Sequence, residues 1–217
     1  MVKPLLVMDF DGVWNPLNKF LVWTGVGDPS DEELYYRTSP FWKLVADPVD
    51  NAVFFAPDME GINKFEGKKV TIQASSELAG NVNGLLDKGK VDYMWLTTWK
   101  ANADTVLNPF LGLNIENYRW IPPTKESGSR FFIDKYDVGQ QGKWLALQAF
   151  YESFETESER PPLIWVEDVT TIGKDNLIDE TNTIVSDILR VPSLVLATDP
   201  ENGISREQWE AIEKWVG

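Results

Sequence analysis

Short, mostly apolar runs alternate along the chain with stretches whose apolar residues have helical spacing. The runs are Leu5–Met8, Val91–Leu96, Tyr118–Ile121, Leu163–Val166 and Leu194–Ala197. Such runs are typical of strands that are buried on both faces, as in parallel sheets. The alternation therefore predicts an α/β fold, a three-layer Rossmann-like arrangement in which a parallel sheet of about five strands carries helices on both faces.

Capping sequences and helical spacing mark the helices between these strands. They are predicted from Ser76 to Lys88, from Lys143 through Phe154, around Ile184–Leu189, and from the capping box at Ser205–Gln208 through Trp215.

Residues 14–69 depart from this alternation, because prolines recur there among aromatic residues. The pattern predicts an irregular insertion directly after the first strand. An insertion at this point would overhang the ligand crevice as a small cap or lid. Alternatively, its aromatic residues form a small core of their own. No repeat or linker divides the chain, so residues 1–217 are expected to form a single α/β domain.

Composition and charge narrow the range of partners. The chain has 217 residues, of which 43% are hydrophobic, as in ordinary globular domains. Its 20 basic and 34 acidic residues give a net charge of −14, which opposes extended nucleic-acid binding and anionic lipid. The sequence lacks a secretory pattern and any apolar run of membrane-spanning length. We expect a soluble, cytoplasmic protein without a membrane partner.

The most informative polar residues are Asp9 and Asp11, which follow the first apolar run and precede Gly12. Neighbouring carboxylates repel each other unless a cation or a shared proton neutralises them, and Mg²⁺ prefers such oxygen ligands. An EF-hand loop is disfavoured because Val13 stands where its third acid belongs. A sugar-nucleotide transferase has a similar acidic pair, but usually after a complete nucleotide-binding unit. Acids that merely cap a turn remain an alternative.

Further polar residues follow other predicted strands. Thr97 and Thr98 follow Val91–Leu96, where they could contact phosphoryl oxygens or simply cap a helix. Glu167 and Asp168 follow Leu163–Val166 as a second acidic pair. Parallel strands present their carboxyl ends at one edge of a sheet, so two acidic pairs there favour a metal site.

Lys143 lies four residues before Leu147 and so extends the buried stripe of its helix backwards. A lysine in a first helical turn is unfavourable unless anionic groups attract it. The acidic pairs and a phosphate would do so, although a solvated lysine is an alternative. Because the chain has no Cys and no His, acid, base and metal-binding roles fall to carboxylates and lysines.

Taken in order, these motifs resemble those of the haloacid dehalogenase-like (HAD) hydrolases. The matching elements are Asp9-Phe10-Asp11-Gly12-Val13, Thr97 after an apolar strand, Lys143 opening a helix, and Glu167-Asp168 after a later strand. A narrower similarity, to the HAD domain of "Swiss army knife" RNA repair proteins, lies in the segments Trp95–Trp99 and Trp165–Asp168 and in Thr198-Asp199-Pro200 followed by Gly203. The long insertion after Asp11 and the Glu of the last motif depart from the family pattern.

The resemblance implies a HAD-type fold and a role for each residue. Asp9 would be the nucleophile that forms an aspartyl-phosphate, and Asp11 the general acid and base. Mg²⁺ would be held by the carboxylates of Asp9 and Asp168, by the backbone carbonyl of Asp11 and, through water, by Glu167. The remaining contacts to the phosphoryl group would come from Thr97 and Lys143, which stabilise its charge, and from Thr98 and Gly12.

The expected function is therefore that of a Mg²⁺-dependent phosphatase acting on a phosphate monoester. The substrate would be a small phosphorylated molecule, such as a nucleotide, or a nucleic-acid terminus. The alternative is an accessory module that binds Mg²⁺ and a phosphorylated ligand without turnover.

Overall fold

The computed structural model describes residues 2–16, 52–65, 68–115, 120–122, 138–168, 178–199 and 201–217. Within these ranges the strands are β1 (Leu5–Met8), β2 (Met59–Phe65), β3 (Lys68–Ala74), β4 (Asp92–Trp95), β5 (Leu163–Asp168) and β6 (Ser193–Thr198). The α-helices are α1 (Ser76–Asp87), α2 (Asn108–Leu111), α3 (Val138–Glu152), α4 (Ile178–Leu189) and α5 (Arg206–Val216). A π-helical stretch over Ala103–Leu107 precedes α2, and a short 3-10 helix spans Glu157–Glu159.

A parallel sheet of four strands in the order β4-β1-β5-β6 confirms the predicted α/β class. The prediction of about five strands was wrong for the described residues. Trp120 makes a single parallel bridge to Trp95, outside β4, where a further strand would lie. The first two residues of the predicted strand, 118 and 119, lie outside the described part of the chain.

Helices pack on both faces of the sheet because successive strand residues point to opposite sides. On one face, Leu6, Met8 and Val166 belong to a core with residues of α1 and α5. On the other face, Val7 and Trp165 belong to a second core with residues of α3 and α4. The strand residues are therefore enclosed from both sides, which explains why their sequences are nearly continuous apolar runs.

The helices predicted from Ser76 and from the capping box at Ser205 are confirmed, and both have side-chain caps. The side chain of Ser75 accepts the Leu78 N–H at the start of α1, and Ser205 and Gln208 form the expected capping box of α5. The predicted stripe on α4 is only half buried, because Ile184 and Ile188 are exposed. No helix in the described ranges is long and apolar enough to cross a membrane.

Helix α3 differs from its prediction at both ends. It begins at Val138, five residues before Lys143, and it ends at Glu152, before Phe154. Lys143 consequently lies in the second turn rather than the first. Its position on the buried stripe is unchanged, since Leu147 one turn later is fully buried against the sheet.

The insertion predicted over residues 14–69 is described only in part, because 17–51 lie outside the described ranges. Its second half contains regular structure: β2 and β3 form a two-stranded antiparallel ribbon in which Met59 pairs with Ala74. The ribbon extends beyond the expected end at residue 69. Near the end of β3, the Gln73 N–H donates to Asn15 Oδ1 at 3.0 Å, so the ribbon is attached to the loop after β1.

Candidate active site

The two acidic pairs meet at the carboxyl edge of the parallel sheet. Asp9 directly follows β1, and its N–H donates to the Val166 carbonyl of β5 at 3.1 Å. Glu167 and Asp168 are the last two residues of β5, which pairs with β6 as far as Asp168 and Thr198. Strand register therefore brings together carboxylates that are far apart in sequence, at the edge where α/β folds bind ligands.

Three of these carboxylates form a buried cluster. Asp9, Glu167 and Asp168 each have a carboxylate oxygen within 4.8 Å of those of the other two, and all three residues are buried. Carboxylates this close, removed from water, cannot all remain ionised without positive charge beside them. Three of the four acids in the two predicted pairs thus come together, whereas Asp11 is not part of the cluster.

Lys143 supplies positive charge from α3. Its Nζ lies 2.7 Å from Asp9 Oδ2 and 2.6 Å from Glu167 Oε1, and the lysine is itself buried. Burial alone would lower the pKa of Lys143, but the charges of Asp9, Glu167 and Asp168 outweigh it and raise that pKa. Lys143 is therefore a permanent cation of the cluster. One cation against three carboxylates leaves negative charge uncompensated.

Glu167 shows the consequence of this imbalance. Burial, followed by the charge of Asp9, raises the pKa of Glu167 well above its usual range, although Lys143 acts in the opposite direction. Its carboxyl therefore takes up a proton readily unless a further cation is present.

The donor set of the cluster fits a hard divalent cation. Asp9 Oδ1 and Glu167 Oε2 are buried and have no hydrogen-bond partner among the described residues, whereas the other oxygen of each carboxylate binds Lys143. Buried polar atoms nearly always have a partner, so these two oxygens are available to a proton, a water molecule or a cation. Together with Asp168 they offer the carboxylate oxygens that Mg²⁺ prefers.

Gly12 lets the loop after β1 approach the cluster. Its φ is +75°, and a Cβ at this position would lie 2.8 Å from Cβ and 3.0 Å from Oδ2 of Asp168. The Gly12 carbonyl accepts a hydrogen bond from the buried Thr198 hydroxyl at 2.7 Å. Its N–H already donates to the Asn15 carbonyl at 2.9 Å, so the structure supports a close-packing role for Gly12 more directly than the predicted phosphate contact.

Asp11 lies beside the cluster with its own set of partners. Its Oδ1 accepts from the Asn15 amide at 2.8 Å, and its Oδ2 accepts from the Trp99 indole at 3.0 Å. The residue is partly exposed. Burial and then the charge of Asp9 raise the pKa of Asp11 to about 6, against the lowering effect of both hydrogen bonds. The predicted metal contact through its backbone carbonyl stays a prediction.

The two predicted threonines differ in environment. Thr97 is buried at the same edge of the sheet, one residue after Leu96, whose N–H donates to the Met8 carbonyl of β1. Its hydroxyl accepts from the Trp99 N–H at 3.4 Å. Thr98 is exposed. The structure thus places Thr97 among the buried residues of the site edge and Thr98 at the surface.

Three residues that contact the site were not singled out for it by the sequence reasoning: Asn15, Trp99 and Thr198. Trp99 and Thr198 appeared only as parts of the narrower family similarity. Their signal was a polar group shortly after a predicted apolar run, with Thr198 one residue after Leu194–Ala197 and Trp99 three residues after Val91–Leu96, a position that many loop residues share. Asn15 carried no signal, because its contact with Asp11 depends on the turn of the loop.

Comparison with known proteins gives no assignment. No family model, no curated protein and no solved structure matches this chain. The similarity to HAD hydrolases therefore rests on the motifs and on the geometry that brings them together.

Proposed function

We propose that this protein is a HAD-type, Mg²⁺-dependent phosphatase that hydrolyses a phosphate monoester through an aspartyl-phosphate intermediate. The observation that carries the proposal is the state of Asp9. Lys143 holds one of its oxygens, the other has no partner in the described part of the chain, and two further buried carboxylates lie beside it. An oriented, poorly solvated carboxylate next to a cation site suits a nucleophile that attacks phosphorus.

In the first step, a carboxylate oxygen of Asp9 forms a bond to phosphorus while the bond from phosphorus to the leaving alcohol oxygen breaks. Protonated Asp11 gives its proton to that oxygen, so the alcohol departs neutral. A carboxyl whose pKa is raised to about 6 holds a proton nearer neutral pH than an ordinary aspartate does.

In the second step, Asp11 takes a proton from water, and the water oxygen bonds to phosphorus as the bond to Asp9 breaks. Phosphate leaves, and both carboxyl groups return to their starting states. Lys143 and Thr97 stabilise the negative charge of the transferring phosphoryl group, which is the main catalytic demand of this chemistry.

The residues that would hold Mg²⁺ are Asp9, Asp168 and, through water, Glu167, with the carbonyl of Asp11. When bound, the ion supplies positive charge against the phosphoryl oxygens. The proposed substrate is a nucleotide or a nucleic-acid terminus. A long nucleic acid is disfavoured because the chain carries a net charge of −14.

One observation favours a second candidate, a module that binds Mg²⁺ and a phosphorylated ligand without turnover. Both oxygens of Asp11 accept hydrogen bonds from protein groups, as those of a purely structural carboxylate would. A binding module has no need of Asp11 as an acid, so activity decides between the two candidates.

The test is release of phosphate from 4-nitrophenyl phosphate, with Mg²⁺ and with EDTA. We expect turnover that requires Mg²⁺, and a loss of roughly 10³-fold or more in Asp9→Asn, since the amide cannot form the covalent intermediate. Asp92→Asn is the matched control, because Asp92 pairs with Lys3 at the surface. Melting curves of both variants check folding.

The outcomes separate the candidates. Near-full activity of folded Asp9→Asn would contradict the phosphatase mechanism. Mg²⁺-dependent thermal stabilisation of the wild type, with no phosphate release from aryl phosphates, nucleotides or 3′- and 5′-phosphorylated oligonucleotides, would favour the binding module.

A further inference from the structure

The side chain of Asp11 is held by two donors from different parts of the chain. Trp99 lies in the loop after β4 and Asn15 in the loop after β1, and their side chains contact opposite oxygens of the same carboxylate. A carboxylate held on both oxygens has little rotational freedom. This restraint matters for a group that must meet a leaving oxygen at hydrogen-bond distance.

In the hydrogen bond between Trp99 and Asp11 the indole N–H is the donor, because an indole nitrogen can only donate. Trp99 is buried, and its ring contacts Phe10 edge-on, with centroids 5.6 Å apart and planes at 76°. Phe10 lies between Asp9 and Asp11 in sequence, so the ring that orients Asp11 also packs against the backbone segment that carries both acids.

The loop that presents Trp99 is tightly turned. Lys100, the next residue, has a φ of +53°, a left-handed conformation that is unfavourable for a non-glycine residue. Its N–H donates to the Thr97 carbonyl at 3.2 Å, and the Asn102 N–H donates to the Trp99 carbonyl at 3.0 Å. Such strained positions persist where the surrounding structure fixes them.

The orientation of the Asn15 amide is set from outside the site. Its Oδ1 accepts the Gln73 backbone N–H at 3.0 Å, and a backbone N–H can only donate. The amide oxygen must therefore face β3, which directs the NH₂ group to Asp11 Oδ1 at 2.8 Å. The antiparallel ribbon thus fixes the donor that Asn15 presents to Asp11.

We propose that Trp99 and Asn15 are positioning residues that hold the Asp11 carboxyl for proton transfer to the leaving alcohol, with Asn15 oriented by the ribbon strand β3. The proposal rests on the phosphatase function proposed above. The loop that carries Trp99 and the ribbon thereby act in the chemical step as well as in packing.

The experiment compares two substrates of similar size whose leaving groups differ. Nitrophenolate departs without a proton, whereas the alcohol of benzyl phosphate needs one. In Trp99→Phe we expect kcat/KM for benzyl phosphate to fall about tenfold or more, and kcat/KM for 4-nitrophenyl phosphate to stay within about threefold of the wild type. The ratio kcat/KM is used because it reports steps up to alcohol release.

Trp209→Phe is the matched control for the tryptophan. Trp209 is as buried as Trp99, but its indole nitrogen has no hydrogen-bond partner within the ranges that the structure describes, so the substitution removes the same atoms without removing a described bond. It should leave both kcat/KM values unchanged. An equal fall of both substrates in Trp99→Phe, or no fall in either, would overturn the proposal.

Asn15→Ala gives a second, independent test that does not depend on the folding of a core variant. Its control is Asn83→Ala, because Asn83 also donates its amide to one group, the Gly112 carbonyl, and accepts one backbone N–H, that of Asn114. Asn15→Ala should reproduce the leaving-group dependence of Trp99→Phe, and Asn83→Ala should not. If kcat/KM for benzyl phosphate does not fall more than kcat/KM for 4-nitrophenyl phosphate in Asn15→Ala, the positioning role of Asn15 is contradicted. Failure of the phosphatase function itself would appear separately, as activity retained in Asp9→Asn or as no phosphate release by the wild type, and the latter would overturn the positioning role as well.

Discussion

Two ion-paired regions of this protein have similar contact distances and opposite surroundings. Arg206 Nη2 lies 2.6 Å from Glu77 Oε2 between α5 and α1, with side chains 42% and 52% exposed. Lys143 Nζ lies 2.7 Å from Asp9 Oδ2, with side chains that are each 5% exposed. The exposed pair is neutral and hydrated, whereas the buried cluster carries one cation against three carboxylates.

The difference in burial predicts different free-energy contributions from the two regions. Exposed pairs keep most of their hydration and contribute little to folding. A buried group of like charges costs free energy unless it is compensated, and a hydrophobic replacement is often as stable. Shifted pKa values beside a buried cation site are characteristic of functional sites. The Lys143 cluster therefore has the character expected of the functional site proposed above.

The largest effect on stability should come from removing the cation of the buried cluster. Lys143→Met, measured by urea unfolding in EDTA, should lower the free energy of unfolding by about 3–5 kcal/mol, because it leaves buried carboxylates without their partner. Lys3→Met is the control, since Lys3 pairs with Asp92 at the surface and its loss should change stability little.

The same variant should show a characteristic pH dependence. Lys143 lowers the pKa of Glu167, which burial and Asp9 raise, so its removal raises that pKa further. A carboxyl whose pKa is higher in the folded than in the unfolded state contributes stability below the unfolded pKa and loses it as pH rises through the folded pKa. The loss in free energy of unfolding caused by Lys143→Met should therefore be larger at about pH 8 than at about pH 5. A loss in free energy of unfolding that does not change with pH would contradict the claim that Lys143 lowers the pKa of Glu167.

A smaller effect should follow from crowding the cluster while keeping its charges. Gly12→Ala places a methyl group against Asp168 in a left-handed backbone position and should cost about 1–3 kcal/mol. It should also weaken stabilisation by Mg²⁺, because the Asp168 carboxylate must move.

Gly89→Ala is the control for the cost of a left-handed backbone conformation. Gly89 has a φ of +63°, and no atom of the described residues lies within 4 Å of an added Cβ. Its cost should be about 1 kcal/mol, without any effect on Mg²⁺. Equal costs for the two glycine variants, with Mg²⁺ stabilisation intact in both, would show that the approach of Gly12 to Asp168 is unimportant.

The features of the fold and of the buried cluster that depend on the spacing of apolar residues were predicted from the sequence. The run Leu5–Met8 matches β1 at both ends, since a strand buried on both faces has no polar positions to blur its limits. Lys143 was found because helical spacing from Leu147 placed it on the buried face of α3. Parallel strands then explain why Asp9 and Asp168, remote in sequence, lie at one edge.

The parts that were not predicted depend on tertiary contacts. The ribbon between Met59 and Ala74 was missed although β3 alternates, with Val70, Ile72 and Ala74 on one face, because its partner β2 does not: Ile62 is exposed, and Gly61 and Asn63 stand on the other face. The contacts of Asn15 and Trp99 with Asp11 depend on the path of two loops, which no local pattern specifies. The surface pair of Glu77 and Arg206 also arises only when α1 and α5 are brought together.

The smallest effect is expected at that surface pair. Glu77→Gln removes the charge and keeps the size of the side chain, so the melting temperature should change much less than in Lys143→Met. Any residual difference should shrink further in high salt, which screens exposed charges more strongly than buried ones.

Arg206→Lys is a useful companion variant, because the guanidinium of Arg206 also lies 4.7 Å from the Phe55 ring centroid. Its loss removes a cation–π contact and a two-point contact with Glu77 together. We expect Arg206→Lys to destabilise more than Glu77→Gln, with phosphatase activity unchanged in both. A large, salt-insensitive loss in Glu77→Gln would show that this exposed pair is as important for the fold as the buried cluster, and the contrast between the two regions would then rest on charge imbalance alone.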